Sequence, residues 1–363
     1  MKVVVSGGGT GGHIYPALAL IHHIQKVDPS TEFLYIGTEK GLEKKIVEKE
    51  HIPFKTIEIQ GFKRSLSLYN VKTVQLFFKA IKRSKQLLEE FQPDVVIGTG
   101  GYVCGAVVYA AHKLNIPTMI HEQNSVAGVT NKFLSKYVDK VGICFPEVAT
   151  AFPEQKVVFT GNPRGQEVVE IDKEEGVLEQ YGLKTGIPTI LIFGGSRGAL
   201  TINNAVLEAM PELVKKDYQV LYVPGNYYYE EVMKKMPQEH PNISVQPYID
   251  QMPEVLVNVE LVLARAGATT LAELTALGLP SILVPSPNVT NDHQTKNAKS
   301  LVDAGASVLI RDDELNGTSL VQAIDQILLQ PDELQKMTWK AKEQGVPDAS
   351  QRVYEVLQEI SHS

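Results

Sequence analysis

The chain has 363 residues, enough for two domains that each bury their own hydrophobic core. Its formal net charge of −7 argues against a general nucleic-acid-binding protein, so we expect no nucleic-acid partner. Cys104 and Cys144 are the only cysteines, and their spacing fits neither a metal site nor a redox pair, which is typical of a reducing compartment. The apolar run after Met1 is too short for a secretory signal.

Strand-like apolar runs alternate with helix-forming stretches along the whole chain. In chain order the runs are KVVVS, EFLYIG, DVVIGTG, PTMIHE, KVGICF, TILIFGG, QVLYVPG, LVLARAG, PSILVPS and SVLI. This alternation predicts an α/β fold with parallel sheets and crossover helices. Residues 95–111 carry no charge, but their central glycines predict a strand, a turn and a helix rather than a membrane span. We therefore expect a protein that is soluble or peripheral to a membrane.

The chain repeats one arrangement of strand, glycine loop and helix. KVVVSGGGTGGHIYPALAL near the start is similar to TILIFGGSRGALTINNAV at residues 189–206. The repeat predicts two doubly wound Rossmann-like domains, residues 1–163 and residues 164–346. Residues 347–363 are predicted to form a separate helix that packs back on the N-terminal domain. Asp348 and Gln351 have the spacing of a capping box at the start of that helix.

The first glycine loop, residues 7–12, lies between a predicted strand and a predicted helix that Pro16 is expected to start. Such a loop directs backbone N–H groups and a helix N-terminus at an anion, usually a phosphate. The loop also fits the dinucleotide pattern G-x-G-x-x-G, but Gly37 occupies the position where that pattern needs an acidic residue. Since the chain has two such loops, group transfer between two phosphate-bearing ligands is favoured over hydride transfer.

Parallel sheets bind ligands at the carboxyl ends of their strands, where this chain places polar side chains and more glycines. His13 follows the first glycine loop and could act as a general base or donate a hydrogen bond to a phosphate. The turn at residues 100–102 could bind a phosphate or only connect a strand to a helix. Glu122 and Asn124 end another predicted strand, where they could contact a sugar or cap a loop.

The second half of the chain carries a corresponding set of candidates. Glu273 follows Thr270 at the spacing of a capping box, so it could support a helix start or accept the two hydroxyls of a ribose. Ser196 could donate to a diphosphate oxygen, and Arg197 beside it could be solvated. Gln294 offers a donor and an acceptor for sugar hydroxyls. The chain contains no Asp-x-Asp sequence, which in many transferases holds a divalent ion on the diphosphate, so no metal site is expected.

Together these motifs resemble the MurG family of peptidoglycan glycosyltransferases over essentially the whole chain. The segments that carry the resemblance are GGGTGGHIYPALAL, GTGGYVCGAVVYAAHKLNIPTMIHEQN, GNPR, GGSRGA, YIDQMPEVL, RAGATTLAELTALGLPSILVP, DHQTKNA and PDAS. The resemblance implies a GT-B fold and an inverting transfer of N-acetylglucosamine (GlcNAc) from UDP-GlcNAc. The implied acceptor is the 4-hydroxyl of the muramyl sugar in undecaprenyl-pyrophosphoryl-MurNAc-pentapeptide (lipid I), the product is lipid II, and no cofactor is required.

The resemblance also implies roles for individual residues. Those implied to bind UDP-GlcNAc are Thr10, Gly11, Gly12, Asn124, Arg164, Ser196, Ile249, Ala268, Thr269, Thr270, Glu273 and Gln294. Those implied to face the acceptor pyrophosphate are Gly8, Gly9, Gly100, Gly101 and Tyr102. His13 is the first candidate for the catalytic base and Glu122 is the second.

A lipid-linked acceptor requires access to a membrane, and residues 61–85 offer a candidate surface. One face of the predicted helix is expected to enter the core and carries Val71, Val74, Phe78 and Ile81. The remaining cationic and apolar positions are Lys72, Leu76, Lys79 and Arg83, with Leu66, Leu68 and Phe77. Apolar residues surrounded by cations suit the anionic inner leaflet, at the cytoplasmic face of the cell membrane. The alternative is an ordinary surface helix.

Three rival functions remain open at this point. A GT-B-like UDP-sugar epimerase would need the donor motifs but neither the acceptor loops nor a membrane surface. An NAD-dependent oxidoreductase is disfavoured by Gly37 and by the second glycine loop. A non-catalytic UDP-sugar-binding protein would leave His13 and Glu122 without a role.

Overall fold

The computed structural model describes residues 1–61, 68–195, 197–236 and 240–362. The chain forms two compact units, Met1–Glu167 together with Asp348–Ser363, and Val168–Pro347. The boundary between the units thus lies a few residues after the one expected from the sequence. Leu66, Ser196 and the side chain of Leu68 lie outside the described residues.

Most of the predicted strands and helices are present. The strands, in chain order, are β1 (Lys2–Gly7), β2 (Glu32–Gly37), β3 (Phe54–Thr56), β4 (Val95–Gly100), β5 (Thr118–Glu122), β6 (Lys140–Ile143), β7 (Val157–Phe159), β8 (Thr189–Phe193), β9 (Gln219–Val223), β10 (Ile243–Val245), β11 (Leu261–Ala264), β12 (Ser281–Leu283) and β13 (Ser307–Leu309). The α-helices are α1 (Gly11–Val27), α2 (Leu42–Lys49), α3 (Leu68–Phe91), α4 (Tyr102–Lys113), α5 (Val129–Leu134), α6 (Pro163–Val169), α7 (Leu200–Leu213), α8 (Tyr229–Lys235), α9 (Met252–Leu256), α10 (Ala268–Leu277), α11 (His293–Asp303), α12 (Gly317–Leu328), α13 (Pro331–Gln344) and α14 (Ala349–Ser361). Within the described segments, none of these helices has both the length and the apolar character needed to cross a membrane.

In the first unit, the described strands form one parallel sheet in the order β3-β2-β1-β4-β5-β6-β7. Alternate residues of β1 enter different cores: Val4 packs with α3, α4 and α5, whereas Val3 and Val5 pack with α1, α2 and α14. Helices therefore cover both faces of the sheet, which explains why its strands are almost continuously apolar. The uncharged stretch at residues 95–111 forms β4, a glycine turn and most of α4, as predicted.

In the second unit, the described strands form a parallel sheet in the order β10-β9-β8-β11-β12-β13. Ile190 and Ile192 of β8 pack in one core with α7 and α12, and Leu191 and Phe193 pack in another core with α9 and α10. In each unit the strands that follow the first one in the chain are added on one side of it, and later strands on its other side. The strand order therefore reverses between β1 and β4 in the first unit and between β8 and β11 in the second. The prediction of two doubly wound α/β units is confirmed.

The predicted start of α1 is wrong, because the helix begins at Gly11 and Pro16 lies inside it. Thr10 is the N-cap, with extended backbone (φ −144°, ψ 156°), and its carbonyl accepts the Ile14 N–H (3.3 Å). Pro16 has no N–H to donate to the Gly12 carbonyl, so α1 lacks one hydrogen bond next to its N-terminus. The helix start therefore lies within the glycine loop itself.

The predicted capping box at the start of α14 is also wrong. Asp348 is the N-cap, but its side chain makes no capping hydrogen bond. The Gln351 N–H donates instead to Oε1 of Gln166 (2.9 Å), and Gln351 Oε1 lies 2.9 Å from Nε2 of His23 in α1. Tertiary contacts within the first unit thus replace the local cap and attach α14 to α1.

The predicted core face of α3 is wrong for three of its four residues. Val71, Val74 and Phe78 are 57%, 43% and 66% exposed, and only Ile81 contacts the core. The buried positions of α3 are Thr73, Ala80, Ser84, Leu87 and Leu88. Small side chains at the first three allow α3 to pack closely on α4. Phe77 packs against the same core, whereas Val71, Val74 and Phe78 lie on the surface.

Candidate active site

Two glycine segments lie side by side in the first unit, residues 7–12 after β1 and residues 98–101 at the end of β4. The Gly8 N–H donates to the Gly100 carbonyl (3.2 Å), and the Gly9 N–H donates to Oε2 of Glu43 (3.2 Å). In this structure the N–H groups of Gly8 and Gly9, both predicted to face the acceptor pyrophosphate, are thus bound to acceptors of the protein itself. The N–H groups of residues 10–12, at the start of α1, have no acceptor within the helix, so they are the groups that can bind an anion.

Gly100 and Gly101 allow the β4–α4 turn to approach this loop. Both have positive φ angles, 115° and 84°, which glycine adopts without strain. A Cβ on Gly100 would lie 2.6 Å from Cδ2 of His13, and a Cβ on Gly101 would lie 2.3 Å from the Gly8 carbonyl oxygen. Gly101 is the N-cap of α4 and Tyr102 its first residue, so the N-termini of α1 and α4 lie at the same edge of the sheet.

We expect Gly101→Ala to lower the free energy of unfolding by about 1–3 kcal/mol. The variant combines an unfavourable φ with a clash against the Gly8 carbonyl oxygen. Thermal denaturation measures the loss, with Gly182→Ala as a control: Gly182 also has a positive φ (76°), but no atom lies within 4 Å of the added Cβ. Gly182 lies in the left-handed helical region (ψ 13°) and Gly101 does not (ψ 167°), so equal losses would show that neither the clash with Gly8 nor this backbone conformation adds to the cost of a positive φ.

His13 is the third residue of α1 and is half-buried. Its Nδ1 lies 2.8 Å from the Gly8 carbonyl oxygen and 3.3 Å from Oγ1 of Thr10. A carbonyl oxygen can only accept a hydrogen bond, so Nδ1 carries the proton, and the lone pair of the neutral ring is on Nε2. This tautomer gives His13 the nitrogen that a general base requires.

Glu122, the second candidate for the base, is buried at the end of β5. Its Oε1 accepts the backbone N–H of Asn124 (3.1 Å) and faces the Asn124 amide nitrogen (3.4 Å). Its Oε2 accepts the Gly128 N–H and the Asn131 amide, both at 2.9 Å. A carboxylate has about four acceptor positions, and donors from the loop after β5 and from α5 occupy them.

Arg164 lies at the start of α6, within a cluster of side chains in the first unit. Its guanidinium forms an ion pair with Glu167 and lies 5.7 Å from the centre of the Tyr15 ring. Glu167 also lies 3.4 Å from Nδ1 of His22, and this hydrogen bond raises the pKa of His22. A phosphate at Arg164 would therefore share the guanidinium with Glu167.

In the second unit, the corresponding loops follow β8 and β11. Residues 194–199 connect β8 to α7, with Gly195 and Gly198 at positive φ (90° and 74°), while Ser196 lies outside the described residues. Residues 265–267 connect β11 to α10, whose N-cap is Gly267. Both helices thus start where the strand order reverses, the place where doubly wound sheets bind phosphates.

Of the two alternatives for Glu273, the structure does not show the capping box, because α10 starts at Ala268 with Gly267 as its N-cap, and Thr270 and Glu273 both lie inside the helix. Glu273 is in the second turn and is buried. Thr269 Oγ1 is also buried and has no hydrogen-bond partner among the described residues. An unsatisfied buried hydroxyl is uncommon, and a bound ligand or a water molecule usually compensates for it.

Gln294 and Ile249, both predicted to bind the donor, have different surroundings. Oε1 of Gln294, in the first turn of α11, accepts the Ser286 N–H (2.8 Å), so the NH₂ group points away from Ser286. The Ile249 side chain is buried in the core with Val255 and Leu256, which leaves its backbone as the part that a ligand can reach.

Two charged residues to which the sequence assigned no role hold these loops in place. Glu43 of α2 binds the first glycine loop, since its Oε2 accepts the Gly9 N–H. Nη1 of Arg265 donates to the carbonyls of Val284 (3.0 Å) and Pro285 (3.2 Å) and pairs with Asp312 (2.5 Å). The sequence around Glu43, LEKKIVEK, is mostly charged, so a buried carboxylate there resembles part of a solvated helix face.

Comparison with known proteins gives the same assignment for both units. Residues 3–143 match the glycosyltransferase family 28 N-terminal domain, and residues 189–353 match the glycosyltransferase family 28 C-terminal domain. A relative from Bacillus licheniformis, named UDP-N-acetylglucosamine–N-acetylmuramyl-(pentapeptide) pyrophosphoryl-undecaprenol N-acetylglucosamine transferase, is 60% identical over 364 residues, which cover 100% of this chain and 99% of the relative. The crystal structure of MurG from Acinetobacter baumannii is 30% identical, with a TM-score of 0.78 and 99% of each chain covered.

The fold is shared more widely. A UDP-GlcNAc 2-epimerase from Neisseria meningitidis, crystallised with UDP-GlcNAc, has a TM-score of 0.66 over 99% of this chain and 100% of its own, but only 17% identity. At that identity the likeness shows the GT-B fold alone, so the epimerase alternative is not favoured. The family matches also disfavour the oxidoreductase and the non-catalytic alternatives. The chain belongs to glycosyltransferase family 28 and, within it, to the MurG family of N-acetylglucosamine transferases.

Proposed function

We propose that this chain transfers GlcNAc from UDP-GlcNAc to the 4-hydroxyl of the muramyl sugar of lipid I, with inversion, in peptidoglycan synthesis. The observation that carries the proposal is the pair of helix N-termini at the reversal point of each sheet. Each unit thereby offers a phosphate site for one of the two substrates. The 60% identity to the named transferase supports the choice of these substrates.

In this proposal the second unit binds UDP-GlcNAc. The diphosphate lies at the starts of α7 and α10, where the Thr269 hydroxyl gains a partner. Glu273 accepts the two ribose hydroxyls, and the NH₂ group of Gln294 donates to a GlcNAc hydroxyl. The backbone of Ile249 contacts the uridine part of the donor.

The first unit then binds the pyrophosphate of lipid I at the starts of α1 and α4. Nε2 of His13 takes the proton from the 4-hydroxyl while that oxygen attacks the anomeric carbon. The bond from the anomeric carbon to the diphosphate breaks, and UDP leaves with the electron pair, its charge stabilised by helix N-termini. Glu122 keeps the loop after β5 in place through Asn124, Gly128 and Asn131.

Incubation with UDP-GlcNAc and a soluble lipid I analogue tests this function. We expect UDP and the disaccharide product in equal amounts, and no UDP without the acceptor. UDP release without a disaccharide, or conversion of UDP-GlcNAc into its 2-epimer, would contradict the proposal. Because the chain lacks Asp-x-Asp, we also propose that no metal ion is required, so EDTA should leave the rate unchanged.

We expect Glu273→Ala to raise KM for UDP-GlcNAc by about 10- to 150-fold, because a charged acceptor of the ribose hydroxyls contributes about 1.5–3 kcal/mol. Steady-state kinetics and thermal denaturation measure the two effects separately. Glu208→Ala is the control, since Glu208 accepts the Gly317 N–H (3.0 Å) at the start of α12 and should affect stability alone. A fall in stability of Glu273→Ala without a change in donor KM would show that Glu273 is structural.

We further propose that the first unit binds the cytoplasmic face of the membrane through exposed apolar residues of α3 and α5. This α3–α5 patch consists of Val71, Val74, Phe78, Val129 and Phe133. The α3 residues share one helix face at spacings of three and four, as do the two on α5, which are 80% and 39% exposed. The Phe77 ring lies 6.2 Å from the Phe78 ring and 6.4 Å from the Phe133 ring, so the two helices form one continuous patch.

Cations accompany the patch on the same helices. Lys72, Lys82 and Arg83 of α3 and Lys132 of α5 are exposed. Lys79 differs from them because its Nζ pairs with Glu58 (2.6 Å). Apolar side chains with exposed cations beside them fit a leaflet of anionic lipids.

A further inference from the structure

The carboxylate of Glu43 is fully buried beneath the first glycine loop. Its Oε1 accepts hydrogen bonds from the N–H (3.0 Å) and the hydroxyl (2.6 Å) of Thr38. Its Oε2 accepts the Gly9 N–H (3.2 Å). These three donors replace the water that a buried carboxylate loses, so the charge is held in one fixed place.

Glycines surround this carboxylate on three sides. A Cβ would lie 2.6 Å from Cδ of Glu43 if added to Gly8, 2.8 Å from Cγ if added to Gly37, and 2.1 Å from Oε1 if added to Gly41. Gly37 occupies the position at which a dinucleotide-binding sheet carries its acidic residue. Here the space above that strand end is filled by the Glu43 side chain, which reaches the back of the glycine loop.

One peptide group connects Glu43 to His13. The N–H that donates to Glu43 belongs to Gly9, and the carbonyl that accepts Nδ1–H of His13 (2.8 Å) belongs to Gly8. Because the N–H and C=O of a peptide group are conjugated, an anion at the N–H increases the negative charge on the oxygen. The Gly8 carbonyl is therefore a stronger acceptor for the imidazole than a peptide without such a partner.

We infer that Glu43 is a positioning residue for the base: it orients His13 and fixes the Nδ1–H tautomer through the Gly8–Gly9 peptide. The arrangement corresponds to a carboxylate that orients a catalytic histidine, with a peptide group between the two side chains. Its consequence for turnover rests on the proposed role of His13, but its effect on the ring does not.

Glu43→Gln tests the inference with a change of one group. Two donors of Thr38 lie at the Oε1 position and one donor lies at the Oε2 position, so the amide oxygen remains on the Thr38 side. The amide NH₂ then faces the Gly9 N–H and cannot accept it. Thr38→Val is the matched control, because it removes the hydroxyl that donates to Oε1 of Glu43, and that also contacts the Tyr102 side chain, but keeps the bond between Glu43 and Gly9.

The first measurement is the tautomer of His13, from ¹H–¹⁵N correlation spectra of histidine-labelled protein with His13→Asn for assignment. We expect the Nδ1–H form in the parent protein and in Thr38→Val, and a mixture of tautomers in Glu43→Gln. The second measurement is kcat with the lipid I analogue, expected to fall about 10- to 100-fold in Glu43→Gln alone, with KM for UDP-GlcNAc little changed.

The possible results separate the two proposals. An unchanged tautomer in Glu43→Gln, or equal changes in Glu43→Gln and Thr38→Val, would overturn the role of Glu43. A mixture of tautomers with an unchanged kcat would support that role and contradict His13 as the base. If Glu43→Gln does not fold, the parent protein still decides, because an Nε2–H tautomer at His13 there would overturn the inference.

Discussion

Replacing His13 with alanine should lower kcat by about 10²- to 10⁴-fold while KM for the acceptor changes little. The reason is the tautomer: the Gly8 carbonyl holds the proton on Nδ1, so Nε2 is the atom that takes the proton of the acceptor hydroxyl. The loss of rate at low pH, which protonation of Nε2 causes in the parent enzyme, should disappear in the variant. Initial rates with the soluble acceptor analogue across the pH range measure both effects.

A second set of variants separates base catalysis from phosphate binding. If His13 only donates to a phosphate, the effect of His13→Ala appears mainly in acceptor KM, and His13→Asn or His13→Gln restores part of it. His51→Asn is the control, because it removes an exposed histidine of the same unit at a backbone position (φ 56°) that asparagine tolerates. A folded His13→Ala enzyme that keeps the loss of rate at low pH would refute the base role.

The strands and the fold class could be predicted because their sequence pattern is strong. Runs such as KVVVS and TILIF are apolar on both faces, and the structure buries both faces of β1 and β8 under helices. The glycine loops were predictable for the same reason, since they directly follow such runs. Strands and the loops that follow them are determined mainly by residues close together in the chain, so their pattern can be read from the sequence.

Helix faces and caps depend on partners that are distant in the sequence. Val71, Val74 and Phe78 have the spacing of a core stripe, but the spacing does not say whether protein, solvent or lipid covers it. The capping-box spacing of Asp348 and Gln351 is present, yet Gln166 takes the N–H that the box would use.

The same reason limits what the sequence says of the candidate site. The position of the phosphate loop follows from its glycines, but the N–H groups open to an anion depend on which of them the protein uses itself. Gly100 and Glu43 take those of Gly8 and Gly9, and neither acceptor is close to the loop in the sequence. The burial of Glu43 could not be predicted, because one buried carboxylate in a charged helix does not change the hydrophobic periodicity of that helix.

Charge reversal at Lys72, Lys82 and Arg83 should release the protein from anionic vesicles. Each basic residue near an anionic surface contributes about 1 kcal/mol, so the loss of all three weakens partitioning roughly 100-fold, and the added carboxylates are repelled as well. Lys79 is left unchanged, because its reversal would place a second carboxylate beside Glu58. Vesicle sedimentation at two salt concentrations measures the partitioning.

The apolar part of the patch should behave differently in the same assay. Phe78 is two-thirds exposed, so most of its apolar surface is in contact with water and would be removed from water if the ring entered a membrane. Phe78→Ser should weaken binding by about 1.5–3 kcal/mol, at low and at high salt alike, because the hydrophobic contribution is not screened by salt. A loss that disappears at high salt would mean that the ring does not enter the apolar layer.

The control for the cationic variant reverses Lys45, Lys49 and Lys234, which changes the net charge by the same amount. Lys45 and Lys49 lie on α2, which packs on the face of the first sheet opposite to α3. We expect this control to keep vesicle binding, and both triple variants to turn over a water-soluble acceptor at nearly the parent rate. Equal release of the two variants would assign the effect to net charge, and equal losses on soluble and membrane-embedded acceptors would assign it to the active site. Only a loss confined to the α3 variant and to the embedded acceptor agrees with docking through the α3–α5 patch.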